Sequence, residues 1–263
     1  MHLEVIGCHF TASAVAGSAA IVNAGDSFTI KNGRQGAKIA LVDVVAFYGS
    51  LGELRVVGPH MNDTTEGIRM SVQVADPQCL MLGSHYEPLY PQDALVVTMF
   101  GTAAAGEVNV AALVVWYEDL PGISARLIMP ADVRQRGVRV VPVRNNIVSI
   151  ATGLWGGAVA LNVLTDLLKP NTDYAVLGGV CSTVQGMISI RSPDWGNVRV
   201  GIPGKIANTE LAWDYFARLS DRSGLPCIPI FNSGNKAATF VESLDDETAT
   251  AVAVHWHLVE LAG

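Results

Sequence analysis

Short apolar runs, separated by turn-forming residues, fill most of the chain. In residues 1–120 they include AKIALVDVVAFYG, ELRVVG, GIRMSVQVA, ALVVTMFG and VNVAALVVWYEDL, punctuated by Gly, Pro, Asn and Asp. Short segments rich in Val and Ala with this punctuation are typical of β-strands. Their regular succession predicts a sandwich or a jelly roll, and therefore an all-β fold.

The second half of the chain repeats this pattern with one interruption. Runs such as IVSIATGLW, DYAVLGGVC, GMISIRS and ATFVESL again predict short strands. Residues 207–223 differ, because Leu211, Phe216 and Leu219 follow a helical spacing and Gly224 is a stop signal. We therefore predict one amphipathic helix inserted between strands of the second half.

Corresponding features of the two halves indicate an internal duplication. The turn at Lys31 matches the turn at Lys169, and Trp116 in VVWYEDL matches Trp256 in VHWHLVEL. The offsets run from about 135 to 141 residues, as expected for a tandem repeat with small insertions. The sequence predicts two tandem jelly-roll units, residues 1–120 and 147–263.

Residues 121–146 lie between these units and are rich in Arg and Pro, so we interpret them as a connector. Two roles are open for its arginines: pairing with acidic residues of this chain or a neighbour, which we favour, or neutralising phosphates of a genome. The arginines are Arg126, Arg134, Arg136, Arg139 and Arg144.

Composition narrows the function further. The chain is 50% hydrophobic and only 16% charged, which suggests that partners cover much of its surface. A formal net charge of −7 argues against a general nucleic-acid binder. Residues 5–25 and 145–165 lack charge, but Gly, Ser, Thr, Ala and Asn dominate them, so we do not interpret them as membrane spans. The scattered Cys8, Cys79, Cys181 and Cys227 are expected to be free thiols.

The sequence offers one weak metal-site candidate and no catalytic motif. His255, His257 and Glu260 resemble the ligands of cupin barrels, because alternation places both imidazoles on one strand face. The second cupin motif is missing, so we expect two histidines on a half-buried strand and no metal or cofactor. Trp155 and Trp195, on predicted turns, are candidate interface anchors. We expect neither enzymatic activity nor a small-molecule substrate.

Two tandem jelly-roll units with an inserted helix and no active site resemble the double jelly-roll major capsid proteins of icosahedral viruses and phages. This resemblance implies a structural protein of the virion shell, assembled in the host cytoplasm as a homotrimer whose six jelly rolls form a pseudo-hexagonal capsomer. Its partners would be itself and other virion proteins, with contact to a genome or inner membrane through the connector. The alternatives are a tail, spike or decoration protein, or a metal-binding bicupin.

Overall fold

The computed structural model describes the chain except for residues 12–18, 22–23, 26–27, 48–51, 62–66, 73–77, 83–84, 102–107, 124–125, 149–154, 162–166, 184, 205–208 and 245–250. The strands up to residue 117 are β1 (His2–Thr11), β2 (Ala19–Ile21), β3 (Ala24–Gly25), β4 (Ile39–Phe47), β5 (Gly52–Val57), β6 (Ile68–Val72), β7 (Gln78–Cys79), β8 (Glu87–Leu89), β9 (Val96–Gly101) and β10 (Val108–Tyr117). They form sheet 1, in the order β3-β1-β10-β4-β7 with β8 also on β4, and sheet 2, in the order β2-β9-β5-β6. We call this part of the structure the first unit.

The rest of the structure forms two further sheets, which with their helices make the second unit. Its strands are β11 (Leu127–Ile128), β12 (Gly137–Val148), β13 (Gly156–Ala160), β14 (Asp173–Cys181), β15 (Met187–Arg191), β16 (Val200–Pro203), β17 (Ile228–Asn232), β18 (Phe240–Leu244) and β19 (Ala251–Leu261). Sheet 3 has the order β11-β17-β14-β19-β12, and sheet 4 has the order β13-β18-β15-β16. The helices are α1 (Pro130–Arg136), α2 (Thr209–Trp213) and α3 (Tyr215–Ser223).

Both units have the same strand order. In the first, β1-β10-β4-β8 faces β2-β9-β5-β6; in the second, β12-β19-β14-β17 faces β13-β18-β15-β16. The two orders match strand for strand when the two-residue β3, β7 and β11 are set aside, so the two units are antiparallel sandwiches of the same plan. Trp116 and Trp256 occupy matching strands, since each lies on the last strand of its unit opposite the first. The predicted all-β fold is confirmed.

Sheet 1 is buried on both faces because the two units pack against each other. Its strand β4 (IALVDVVAF) is buried along its whole length. Leu41 and Leu113 point into the core shared with sheet 2, whereas Val42 and Val114 join the core of the second unit. Strand alternation therefore divides one continuous apolar run between two hydrophobic cores.

Glycines allow the two units to approach closely. A Cβ on Gly201 of β16 would lie 2.9 Å from a methyl group of Val5 in β1. A Cβ on Gly186 would lie 2.8 Å from a methyl group of Val110 in β10. Such distances leave no space for a side chain, so these glycines are part of the fit between the units.

Two predicted elements differ from the structure. The predicted connector, residues 121–146, contains α1 and most of β12. Because β12 pairs with β19 from Gly137 to Val148, the second half of the connector belongs to sheet 3. The predicted helix at 207–223 begins at Thr209 in the described residues and is divided at Asp214 into α2 and α3. Its predicted end is confirmed, since Gly224 caps α3 in the left-handed conformation, with φ of 70°.

Candidate functional site

The surface with the clearest capacity for a partner is the outward face of β12. This strand lies at the edge of sheet 3 and pairs with β19. Its exposed and buried residues alternate from Val140 onwards. The β12 face consists of Val138, Val140, Pro142, Arg144, Asn146 and Val148.

Exposed valines distinguish the β12 face from the remaining described surface. Val138, Val140 and Val148 are 56%, 55% and 48% exposed, and they make up three of the seven large exposed hydrophobic side chains in the described residues. A long edge strand that exposes apolar side chains and unpaired backbone groups favours association with another surface. Pro142 is compatible with such an edge because it has no N–H to leave unpaired.

The connector arginines divide into paired and unpaired groups. Arg126 forms an ion pair with Asp173, and Arg136 donates to the backbone carbonyl oxygen of Ala262. Burial would raise the pKa of Asp173, but hydrogen bonds from Arg126 and Asn232 outweigh it, so this pKa lies below its ordinary value.

Arg139 donates to Glu260 over 2.7 Å, and Lys169 donates to the other oxygen of the same carboxylate. Arg134 and Arg144 have no ion-pair partner among the described residues. Pairing within the chain, the role that we favoured for these arginines, therefore holds for Arg126 and Arg139.

The pairing of Glu260 gives a testable pH dependence. Hydrogen bonds from Lys169 and Arg139 hold the pKa of Glu260 below its ordinary value. A carboxylate with a lowered pKa stabilises the fold above its ordinary pKa of about 4.3, and this contribution is lost as the pH falls through the folded value. We expect Glu260→Gln to lower the thermal unfolding midpoint by a few degrees at pH 7, and we expect the difference to vanish near about pH 3.

Glu87→Gln is the matched control for this measurement, because Glu87 has no ion-pair partner among the described residues. Its unfolding midpoint should follow that of the unmodified chain at every pH. An equal loss in both variants, or a loss for Glu260→Gln that persists in acid, would contradict the assigned role of Glu260.

The two tryptophans predicted as interface anchors do not lie on an outer surface patch. Trp195 is only 3% exposed and packs edge-on against Phe231, with ring centroids 6.5 Å apart. Trp155 lies between the units. A Cβ on Gly7 of β1 would lie 3.0 Å from its ring, and the guanidinium carbon of Arg199 lies over the ring, 5.1 Å from the centroid. Trp195 is therefore a core residue, and Trp155 anchors the two units to each other.

The candidate metal ligands are not brought together. His257 lies with its ring stacked on Trp213, and its Nδ1 is 3.2 Å from the Trp213 carbonyl oxygen. Glu260 points to the opposite face of β19 because the two positions differ by an odd number of residues. Within the described ranges, no group of three His, Cys, Asp or Glu side chains is placed to hold a metal ion.

A cavity of about 340 Å³ opens between the units beside β1. Its cationic lining groups are already paired: Lys31 with Glu4, and both Arg191 and Arg199 with the buried Glu242. Each of these three cations therefore has a carboxylate partner, and the described lining residues present no unpaired cation for an anionic ligand.

The sequence interpretation missed a buried polar contact between the units. Asp43, in the middle of β4, is fully buried, and its Oδ2 accepts a hydrogen bond of 2.7 Å from the hydroxyl of Tyr215 in α3. A carboxylate within the apolar run IALVDVVAF was the available signal, because such a residue requires partners when it is buried.

Cys79, Cys181 and Cys227 are free thiols, as expected, while the side chain of Cys8 lies outside the described residues. Burial raises the pKa of Cys227 to about 12. In the described part of the chain, none of the helices has the length and apolar character that crossing a membrane requires.

No protein-family model and no curated protein matches this chain. Among solved structures, it is similar to the PBSX exported protein XepA at 10% identity and a TM-score of 0.29, over 98% of this chain and 86% of that one. It is also similar to the major capsid protein P2 from Bacteriophage PM2 at 10% identity and a TM-score of 0.21, over 100% of this chain and 98% of that one. TM-scores this low do not establish a common fold.

Proposed function

We propose that this chain is a structural protein of a phage-like virion shell that acts by self-assembly and catalyses no reaction. The observation that carries the proposal is the repeated strand order: one chain holds two sandwich units, which we interpret as jelly rolls, and they share an extensive apolar junction. Three copies of such a chain present six similar units, which suits a pseudo-hexagonal homotrimer. Its place would be the virion, after assembly in the host cytoplasm.

Jelly rolls serve in viral capsids, in lectins and in cupins, so the fold alone does not select a function. A cupin needs converging metal ligands, and His255, His257 and Glu260 lie on opposite faces of β19. A lectin-like role through Trp195 would need its ring to be exposed, and Trp195 is buried. The shell role requires neither feature.

The β12 face is the surface that we assign to assembly. Its valines are costly to leave in water, and burial against a neighbour stabilises the complex by roughly 25 cal/mol for each Å² of apolar surface removed. A cyclic trimer uses heterologous contacts, so the β12 face of one copy would meet a different surface of the next. Arg134 and Arg144, which lack ion-pair partners in the described part of the chain, remain available for other virion proteins, a genome or an inner membrane.

The native mass of the purified full chain tests this function. Light scattering, with negative-stain imaging of the same fractions, should give a trimer or larger hexagonal patches and closed particles. A monomer at every accessible concentration would overturn the shell role.

A further inference from the structure

The contact of Asp43 with Tyr215 joins the two units through a buried carboxylate. Asp43 Oδ1 accepts hydrogen bonds from the backbone N–H groups of Val44, at 2.7 Å, and Met81, at 2.6 Å. Its Oδ2 accepts the Tyr215 hydroxyl at 2.7 Å. The carboxylate thus has two donors from its own unit and one from the other.

The groups around Asp43 do not compensate its charge. Among the described residues, the titratable side chains facing this cluster are Tyr215 from α3, Cys79 from β7 and Cys227 from the segment after α3. Each of the three is neutral when protonated and negative when ionised, so none can supply a positive charge. Burial raises the pKa of each. Within the described part of the chain, an ionised carboxylate here is stabilised only by hydrogen bonds, which offset part of its desolvation.

Mainly because of burial, the pKa of Asp43 rises to about 6, although hydrogen bonds from Tyr215, Met81 and Val44 oppose the rise. An acid whose folded pKa is raised favours the fold when it is protonated. That contribution is complete below the ordinary Asp pKa of about 3.9 and is lost as the pH rises through the folded value. The window of change therefore lies in mildly acidic solution.

We propose that Asp43 makes the packing of the two units pH-dependent, with protonation tightening their junction and ionisation weakening it. Tyr215 is the first residue of α3, so a weaker contact with Asp43 should change how firmly this helix packs on β4. Weakening should appear as more frequent opening of α3 from β4. The inference concerns one chain and does not depend on how copies assemble.

Hydrogen–deuterium exchange of the full chain tests the proposal, with rates corrected for the intrinsic pH effect. As the pH rises from about 5 to about 8, opening of the α3 amides should become roughly ten-fold more frequent in the unmodified chain. Asp43→Asn keeps an acceptor for the backbone amides and removes the titration, so its opening should be nearly independent of pH. Asp221→Asn, an exposed change in the same helix, should retain the ten-fold response.

A carbon NMR titration of the unmodified chain covers the case in which Asp43→Asn does not fold. The Asp43 carboxyl carbon should titrate well above the ordinary Asp range. Titration at the ordinary value, or the same pH response in Asp43→Asn as in the unmodified chain, would overturn the proposal.

Discussion

Replacing Gly178 by alanine is expected to lower the unfolding midpoint by roughly 10 °C. Gly178 lies in β14, where α2 crosses the strand. A Cβ at this position would lie 2.2 Å from the carbonyl oxygen of Ala212 and 2.6 Å from that of Trp213. Both atoms are backbone, so the helix must shift away from sheet 3 to accept the methyl group.

The magnitude follows from the cost of overpacking. Inserting a carbon into a closed contact costs about 1–3 kcal/mol, and more where the neighbour is backbone. For a chain of this size, each kcal/mol lowers the midpoint by roughly 2–4 °C. Differential scanning calorimetry at neutral pH measures the change directly.

Gly234→Ala is the matched control for this substitution. Its Cβ would meet no backbone atom, only the side-chain oxygens of Asn171 and Asn232 at 3.0 and 3.1 Å, so a shift of a few tenths of an ångström in these side chains accommodates it. We expect its midpoint to stay within a few degrees of the unmodified chain. If both glycine variants unfold at similar temperatures, the close packing of α2 on β14 is not the constraint inferred here.

The strands were predictable because most bury at least one face. Runs such as IALVDVVAF are apolar apart from Asp43, and turn residues bound them, so their type follows from local sequence. The stop at Gly224 was equally clear, because glycine adopts the left-handed conformation that ends α3.

Strand β12 could not be recognised in this way. Its exposed positions include Val138, Val140 and Val148, while its buried positions include the polar Asn145. The outward face is as apolar as the inward face, so the alternation that marks a half-buried strand is absent. Its arginines and proline then favoured a linker, although pairing with β19 decides the structure.

Contacts between distant residues set the rest of the site. Asp43 and Tyr215 are separated by 172 positions, and only the packing of the two units brings them together. Trp195 follows a Pro-Asp turn, which predicts exposure, yet Phe231 and the surrounding core cover it. Local pattern predicts elements, whereas the burial of one unit by another depends on the tertiary fold.

The double variant Val138→Lys with Val140→Lys is expected to abolish assembly and leave a folded monomer. Both side chains are more than half exposed in the single chain, so the substitutions should change its stability by about 1 kcal/mol at most. Covered by a neighbour, two unpaired ammonium groups would instead be desolvated, and lysine on an edge strand opposes pairing. Light scattering should then show at least a hundred-fold weaker association, about 2.7 kcal/mol.

Val96→Lys provides the matched control, because Val96 is 41% exposed on β9 of the first unit, away from the β12 face. It adds one positive charge, half that of the double variant, to another exposed strand valine and should assemble normally. Normal assembly of the β12 double variant would show that another surface carries the contact, while the shell function would stand. Loss of assembly in both variants would point to net charge rather than to the β12 face, since each change makes a chain of net charge −7 less acidic.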